Sequence, residues 1–462
     1  MTRPNFVFIL IDDMGWRDIE CYGSPFYETP VLNTLAQQGM RFTDAYASCP
    51  VCSPTRASVM TGRYPARVGI TNFIKGVEKG RLLCPPYLDH LPLSEKTIAR
   101  ALKDAGYRTY CVGKWHLGGE EFHPDKHGFD VNIGGCHIGH PHKGYFSPWH
   151  IPTLPDGPPG EYLTDRLASE AVKLIENNGP DPFFLYLPFY AVHTPIQAPK
   201  ELIGKYERKA HALGLDTVQA LEDGEPFPCE HKKHLRVRRR RIQSDPVYAA
   251  MVENLDTNIG RVLDALERTG KAGNTVVFFT SDNGGLSTAE GSPTTNAPLS
   301  EGKGWMYDGG VREPLIVRWP GVTAPGSVCT APVTTPDFYP TMLEMAGLPL
   351  MPDQHADGVS LCPLLRGAQS LEREAIFWHY PHYGNQGGTP GCSVRCGDYK
   401  LIEFFEDGRL ELYNLREDIG EERNLAGSLP GVTKKLHTML VRWREEIHAL
   451  IPERNPEYES SR

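Results

Sequence analysis

Short apolar runs interrupt an otherwise mixed chain. Residues 6–11, 183–187 and 276–279 are continuous hydrophobic runs, the pattern of strands buried on both faces. Between them, at 93–105, 162–176 and 248–266, apolar residues recur every three or four positions, the spacing of amphipathic helices. Strands alternating with helices predict an α/β fold with a large, mainly parallel central sheet flanked by helices. The Pro- and Gly-rich 145–160 and the stretch 284–304 predict long surface loops, and loops of that length are commonly functional. Residues 213–245 predict an irregular charged insertion. After about residue 370 the runs shorten, as in FFEDGRLELYNL, and 432–447 predicts a final helix. The expected division is a main α/β domain over 1–370 and a smaller C-terminal α+β region over 371–462, containing an antiparallel sheet.

Charge narrows the function classes. Against 48 Lys+Arg stand 57 Asp+Glu, a net charge of −9 over 462 residues, which argues against nucleic acid as a partner. The local exception is HKKHLRVRRRR at 231–241. It reads as a solvated run ahead of the next helix, with a contact surface for a polyanionic glycan as the alternative. No apolar run approaches the ~20 residues needed to cross a bilayer, so no membrane partner is expected. The run 6–11 ends in Asp12-Asp13, unlike a signal-peptide core. The expectation is a cytoplasmic protein, or a periplasmic or secreted one if an export signal has been removed. The 11 cysteines show no zinc-type spacing and read as free, mostly buried thiols. Cys49 and Cys52, and Cys392 and Cys396, are close enough in sequence to pair.

Four runs end, or nearly end, in polar groups suited to catalysis. NFVFILI leads to Asp12-Asp13 and TVVFFT to Ser281-Asp282-Asn283. RTYCVG leads to Lys114-Trp115-His116, and His193 follows PFFLYLPFY. In a doubly wound sheet, ligands sit beyond the carboxyl ends of the strands. Asp12, Asp13, Asp282 and Asn283 offer only oxygen ligands, which suits Ca²⁺ or Mg²⁺. Simple turn capping by the same residues is the plainer alternative.

In CSPTR (52–56), Ser53-Pro54 resembles an N-cap followed by proline at the first helical position. Cys52 then lies just before a short helix, where free N–H groups attract anions, with Arg56 one turn on. Two readings stay open here: a thiolate nucleophile at Cys52, or an inert thiol beside an Arg56 salt bridge.

CSPTR followed by Thr61-Gly62-Arg63 resembles the type I sulfatase signature, and GYRTYCVGKWHLG (106–118) the second sulfatase signature. DDMG, SDNGG, GGVREPLIVRWPG, DFYPTMLEMAG and DGVSLCPLLRG follow the same family's order along almost the whole chain. The resemblance implies the alkaline-phosphatase-like fold and hydrolysis of a sulfate ester. It implies that Cys52 is converted to formylglycine by a formylglycine-generating enzyme that recognises Cys52, Pro54 and Arg56. One hydroxyl of the hydrated aldehyde would attack sulfur, and the second would let sulfate leave. It further implies metal ligation, usually of Ca²⁺, by Asp12, Asp13, Asp282, Asn283 and the modified residue 52. Arg56 and Lys114 would offset developing charge, and His116 would assist release. His193 would protonate the leaving oxygen, and Lys303 would contact sulfate. Asn283 favours sulfate over phosphorus esters, since related phosphonate and phosphodiester hydrolases often carry histidine there.

Substrate identity is less legible. GGCHIGHPHKGYFSPWH (134–150) gathers His137, His140, His142 and His150 among aromatic residues, a composition suited to a sugar-binding wall or to an ordinary surface loop. HYPHYGNQGG (379–388) could border the same pocket. A sulfated carbohydrate is the expected substrate, and an aryl sulfate the runner-up. A phosphonate or phosphodiester hydrolase is the competing enzyme class, and a polyanion-binding protein the alternative outside enzymes.

Overall fold

The run Asn5–Ile11 is a strand because each of its faces has a core to enter. Val7, Ile9 and Ile11 join one hydrophobic cluster, and Phe6, Phe8 and Leu10 join another on the opposite side. Phe183–Pro188 and Thr275–Ser281 divide their residues between the same two clusters. Strand side chains alternate faces, and each large apolar group buried contributes roughly 1.5–3 kcal/mol. An uninterrupted apolar run is therefore stable only between two layers.

Those layers are helical in the computed structural model, which describes residues 3–76 and 79–458. Pro30–Gln38, Leu163–Asn177 and Pro246–Arg268 cover one face, while Cys52–Thr61, Ile98–Asp104 and Phe338–Met345 cover the other. The central part of the sheet runs Arg312–Arg318, Thr275–Ser281, Asn5–Ile11, Phe183–Pro188, Arg108–Val112, Val131–Ile133. Met40–Tyr46 extends it beyond Arg312–Arg318 and pairs in parallel with Ser327–Cys329 and Val333–Thr334. Only Arg312–Arg318 runs antiparallel to its neighbours. The expected parallel α/β architecture holds, as does the C-terminal antiparallel sheet. That sheet is a meander of Ile376–Tyr380, Gly391–Cys396, Tyr399–Phe404 and Leu410–Asn414. Helix Pro430–Glu446 covers one of its faces, and the other meets Tyr46, Val51 and Met306 of the main body.

Two local expectations are corrected. The helix expected over 93–105 is confined to Ile98–Asp104, because Thr97 caps it by accepting the Arg100 N–H. The charged insertion is not irregular throughout: Leu221–Pro226 and Arg236–Arg240 form a hairpin. Its charges hid a strand alternation in which buried Val237 alternates with exposed Arg236 and Arg238. The expectation of free thiols holds, Cys49, Cys52, Cys392 and Cys396 included.

Candidate active site

The four strands that carry the polar ends are adjacent and mutually parallel, so their carboxyl ends open onto one edge. Gly113 makes one of the turns possible. Its φ is 124°, and any Cβ there would lie 1.9 Å from the Pro188 carbonyl oxygen. Asp13 and His116 also adopt left-handed backbone, with φ of 63° and 57°. That conformation costs a non-glycine residue about 1 kcal/mol or more, offset here by the contacts the side chains make.

Arg56 ties the Cys52 helix to these strand ends. Its Nε donates to Asp282 Oδ2 at 2.8 Å, and its Nη1 donates to the Lys114 carbonyl at 2.9 Å. Lys114 Nζ donates to both oxygens of Asp12, at 2.9 and 2.7 Å. Lys303 Nζ lies 2.8 Å from Asp13 Oδ2 and 3.1 Å from His193 Nε2. Asn283 Nδ2 donates to Asp13 Oδ1 at 2.8 Å. All these groups are buried. Burial, reinforced by Asp282 and Asp13, pushes the Asp12 carboxyl up to about 8 despite Lys114 and Arg56. Burial opposes ionisation of Asp13 too, but the Lys303 and Lys114 charges and the Lys303 hydrogen bond hold that carboxyl below its usual range.

The helix begins at Cys52 itself, with Val51 at the N-cap, and not at Pro54. Ser53 does not cap it; its hydroxyl oxygen accepts the Ile74 N–H at 3.2 Å. Cys52 Sγ lies 3.3 Å from His116 Nδ1. Burial raises the thiol's pKa, and Lys114 and Lys303 do not reverse it. Burial thus counts against the thiolate reading of the encoded cysteine. The other reading is right that Arg56 is a salt-bridge former.

Above Cys52 is a cavity of about 400 Å³. His116, His193 and Lys303 line it, and so do three of the four histidines of the 134–150 stretch, His137, His140 and His142. His140 and His193 lie with nearly parallel rings, their centroids 5.5 Å apart. His150 instead pairs with Asp156 at the surface. The stretch 379–388 borders the pocket as expected, through Asn385 and Gln386. Sequence reasoning missed Phe73 and Lys75, which carried no signal, and Glu290, signalled only by the length of the 284–304 loop.

The matches to known proteins agree with this geometry. A family model described as Sulfatase matches residues 4–348. The chain belongs to the sulfatase family. A second model, N-sulphoglucosamine sulphohydrolase, C-terminal, matches 301–446. The chain is 34% identical to a sulfatase of Formosa agariphila, covering 93% of this chain and 85% of that one. It is 33% identical to the N-acetylgalactosamine-6-sulfatase of Rattus norvegicus, covering 95% and 78%, and 32% identical to human arylsulfatase A, covering 94% and 85%. The crystal structure of Ps i-CgsB superposes with a TM-score of 0.77 at 27% identity, covering 96% of this chain and 93% of that one. That of BT4656, solved with D-glucosamine-2-N,6-O-disulfate, gives 0.75 at 23% identity, covering 97% and 98%, a likeness of fold. This sulfatase is therefore a sulfuric ester hydrolase of the alkaline-phosphatase-like superfamily.

Sulfatases generally use formylglycine and a divalent metal. Here, one oxygen atom asks for a cation. Asn283 Oδ1 is buried with no hydrogen-bond partner among the described residues, although the same amide's nitrogen is satisfied. Two overlapping groups, Asp12–Cys52–Asp282 and Asp12–Asp13–His193, could each hold an ion, and Asn283 is joined to the second through Asp13. An all-oxygen set drawn from Asp12, Asp13, Asp282 and Asn283 fits a hard cation.

Proposed function

We propose that this sulfatase removes a sulfate ester from a carbohydrate, using formylglycine formed from Cys52 and Ca²⁺ held by Asp12, Asp13, Asp282 and Asn283. Mg²⁺ is the alternative ion. The observation that carries the reading is the cavity over Cys52, whose wall of histidines, Asn385 and Gln386 is rich in hydrogen-bond partners for sugar hydroxyls. The relatedness to N-acetylgalactosamine-6-sulfatase along nearly the whole chain supports it. Residues 371–462 act as a subdomain that closes the pocket, a role supported by Asn385 and Gln386 in its lining.

Formylglycine, hydrated, supplies a hydroxyl that attacks sulfur and a second that lets sulfate leave. Bound Ca²⁺ supplies Lewis-acid polarisation of a sulfate oxygen. The chain's own groups do the rest. Arg56 holds residue 52 over the strand ends, and Lys114 lies against Asp12. His116 Nδ1, 3.3 Å from the residue-52 side chain, is placed to take its proton. Burial keeps the His116 and His193 rings neutral by lowering their pKa values. His193 Nδ1 donates to the Thr194 carbonyl at 3.0 Å, leaving Nε2 to accept from Lys303. The proton for the leaving oxygen lies on this Lys303–His193 pair. Arg56, Lys114 and Lys303 balance the three carboxylates, so a divalent ion makes the site net positive, the sign that attracts an anionic ester.

The test is mass spectrometry of the Cys52 peptide after co-production with a formylglycine-generating enzyme, followed by sulfate release assays. An aldehyde at position 52 and release from N-acetylgalactosamine 6-sulfate are expected. Turnover of 4-nitrophenyl sulfate but of no sulfated sugar would replace the carbohydrate by an aryl sulfate. Preference for bis(4-nitrophenyl) phosphate by a wide margin would defeat the proposal.

A further inference from the structure

The reaction cavity does not stand alone. A second cavity, of about 540 Å³, adjoins it, and Glu290 lines both. Its floor is apolar, with Leu221, Phe227, Leu235 and Ala289, and its rim carries Arg236 and Arg238. The hairpin strand Arg236–Arg240 explains this placement. Strand side chains alternate, so Val237 is buried against the body while Arg236 and Arg238 point outward. Arg239, on the inward face, is consumed by Glu225 and Glu301 and sits over the Trp305 ring. Arg240 and Arg241 are held by Ser292 and Glu222. The basic run at 231–241 is thus mostly spent on structure, and only selected cations remain for a ligand. Arg236 donates one bond to the Gly224 carbonyl. Among the described residues Arg238 has a single ion pair, with Asp223 at 3.2 Å, in which both side chains are more than half exposed. Such a pair is weak and can exchange for a ligand anion.

The second cavity is also mechanically joined to the first. The Arg238 N–H donates to the Thr288 carbonyl at 3.2 Å, and the Arg240 N–H donates to the Ser287 carbonyl at 2.8 Å. Thr288 Oγ1 donates to the Gln386 carbonyl at 2.8 Å, and Gln386 Nε2 donates to Glu290 at 2.7 Å. One continuous wall therefore runs from the pocket over Cys52 to the hairpin.

We propose that this groove is an extension of the reaction pocket that binds the next, anionic residue of an oligosaccharide chain whose sulfated sugar lies over Cys52. The inference rests on the carbohydrate reading above. An apolar floor suits the C–H face of a sugar ring, and two guanidinium groups at the rim suit its carboxylate or sulfate.

Binding to Cys52→Ser protein, measured calorimetrically, tests it without any need for modification. The probes are N-acetylgalactosamine 6-sulfate, a chondroitin tetrasaccharide ending in that sugar, and the same tetrasaccharide with its uronates reduced to neutral sugars. Tighter binding of the tetrasaccharide than of the monosaccharide is expected. Arg236→Ser/Arg238→Ser should weaken the tetrasaccharide about fivefold to tenfold and the monosaccharide less than twofold, and Arg236→Lys/Arg238→Lys should restore most of the loss. Loss of the advantage on uronate reduction assigns the contact to carboxylate, and its survival assigns it to sulfate. Equal binding of both sugars by the parent protein, or a serine variant indistinguishable from the parent, overturns the groove alone. Binding of none of these sugars by a protein that, with residue 52 modified, hydrolyses 4-nitrophenyl sulfate overturns the carbohydrate reading and the groove together.

Discussion

Acid should loosen the C-terminal wall of the pocket before it reaches the central sheet. His382 is fully buried, with Nε2 2.8 Å from Thr71 Oγ1 and Nδ1 without a hydrogen-bond partner. Burial, reinforced by His379, pushes its pKa down to about 3, against ~6.5 in an unfolded chain. The folded value lies below the unfolded one. The stability it represents is therefore complete above pH 6.5 and is lost as the pH falls toward 3. Each pH unit in that window removes ~1.4 kcal/mol, so a change from pH 7.5 to 5.0 costs about 2 kcal/mol from this residue alone. His379, held at about 4 by burial with its Nε2 donating to the Leu450 carbonyl, costs about as much again over the same interval. The assay is urea unfolding of the parent and His382→Gln at both pH values. Glutamine can still bond Thr71 but does not titrate. The parent should lose about 2 kcal/mol more than the variant between pH 7.5 and 5.0, whatever other groups contribute to both. Equal losses would mean that His382 accepts its proton in the folded state, and the burial argument would be wrong. Asn385 and Gln386 follow within four residues, so activity should fall with the same pH dependence.

A Cβ at Gly139 would lie 2.7 Å from the His116 ring, so Gly139→Ala should lower kcat by on the order of 10²-fold with little change in Tm. Asn283→Ala should weaken Ca²⁺ about tenfold or more, read as a smaller calcium-dependent rise in Tm, whereas an unchanged rise would remove Asn283 from the ligand set. Lys400 is buried between Asp308 and Glu421 at 2.8 and 2.9 Å, and Lys400→Ala should destabilise the fold by ~3–5 kcal/mol in chemical denaturation. A peptide spanning 45–65 should be converted at Cys52 by a formylglycine-generating enzyme, while folded protein should not, because Cys52, Pro54 and Arg56 are all buried; equal conversion rates by mass spectrometry would contradict this.

What the sequence made legible follows from how burial marks it. Strands covered on both faces have no polar positions, so 6–11, 183–187 and 276–279 announced themselves, and parallel pairing then brought their polar ends together. Arg312–Arg318 carried no such mark. Glu313 reads as a charge, yet it is buried in that strand, and burial pushes its carboxyl well above the usual range. The hairpin was missed for the opposite reason: its inward positions include Arg239, whose charge is cancelled by Glu225 of the partner strand and by Glu301, 62 residues on. Val51, not Ser53, precedes the Cys52 helix because Ser53 is engaged by Ile74, a contact that local capping preferences cannot foresee. Asn385, Gln386 and Glu290 reach the pocket only through tertiary closure.

The active position is encoded as an unreactive one. A cysteine at a helix start, near lysines and an arginine, has the composition of an activated thiolate, yet each cation is already committed. Arg56 is divided between Asp282 and the Lys114 carbonyl, Lys114 is held by Asp12, and Lys303 by Asp13. With its neighbours committed, desolvation decides, and the thiol stays protonated. The same commitments that leave sulfur inert hold residue 52 beside the carboxylates of Asp12 and Asp282, a group that could hold an ion. Under the proposed function, reactivity comes from changing the atom at position 52, within a framework of committed charges that is already in place.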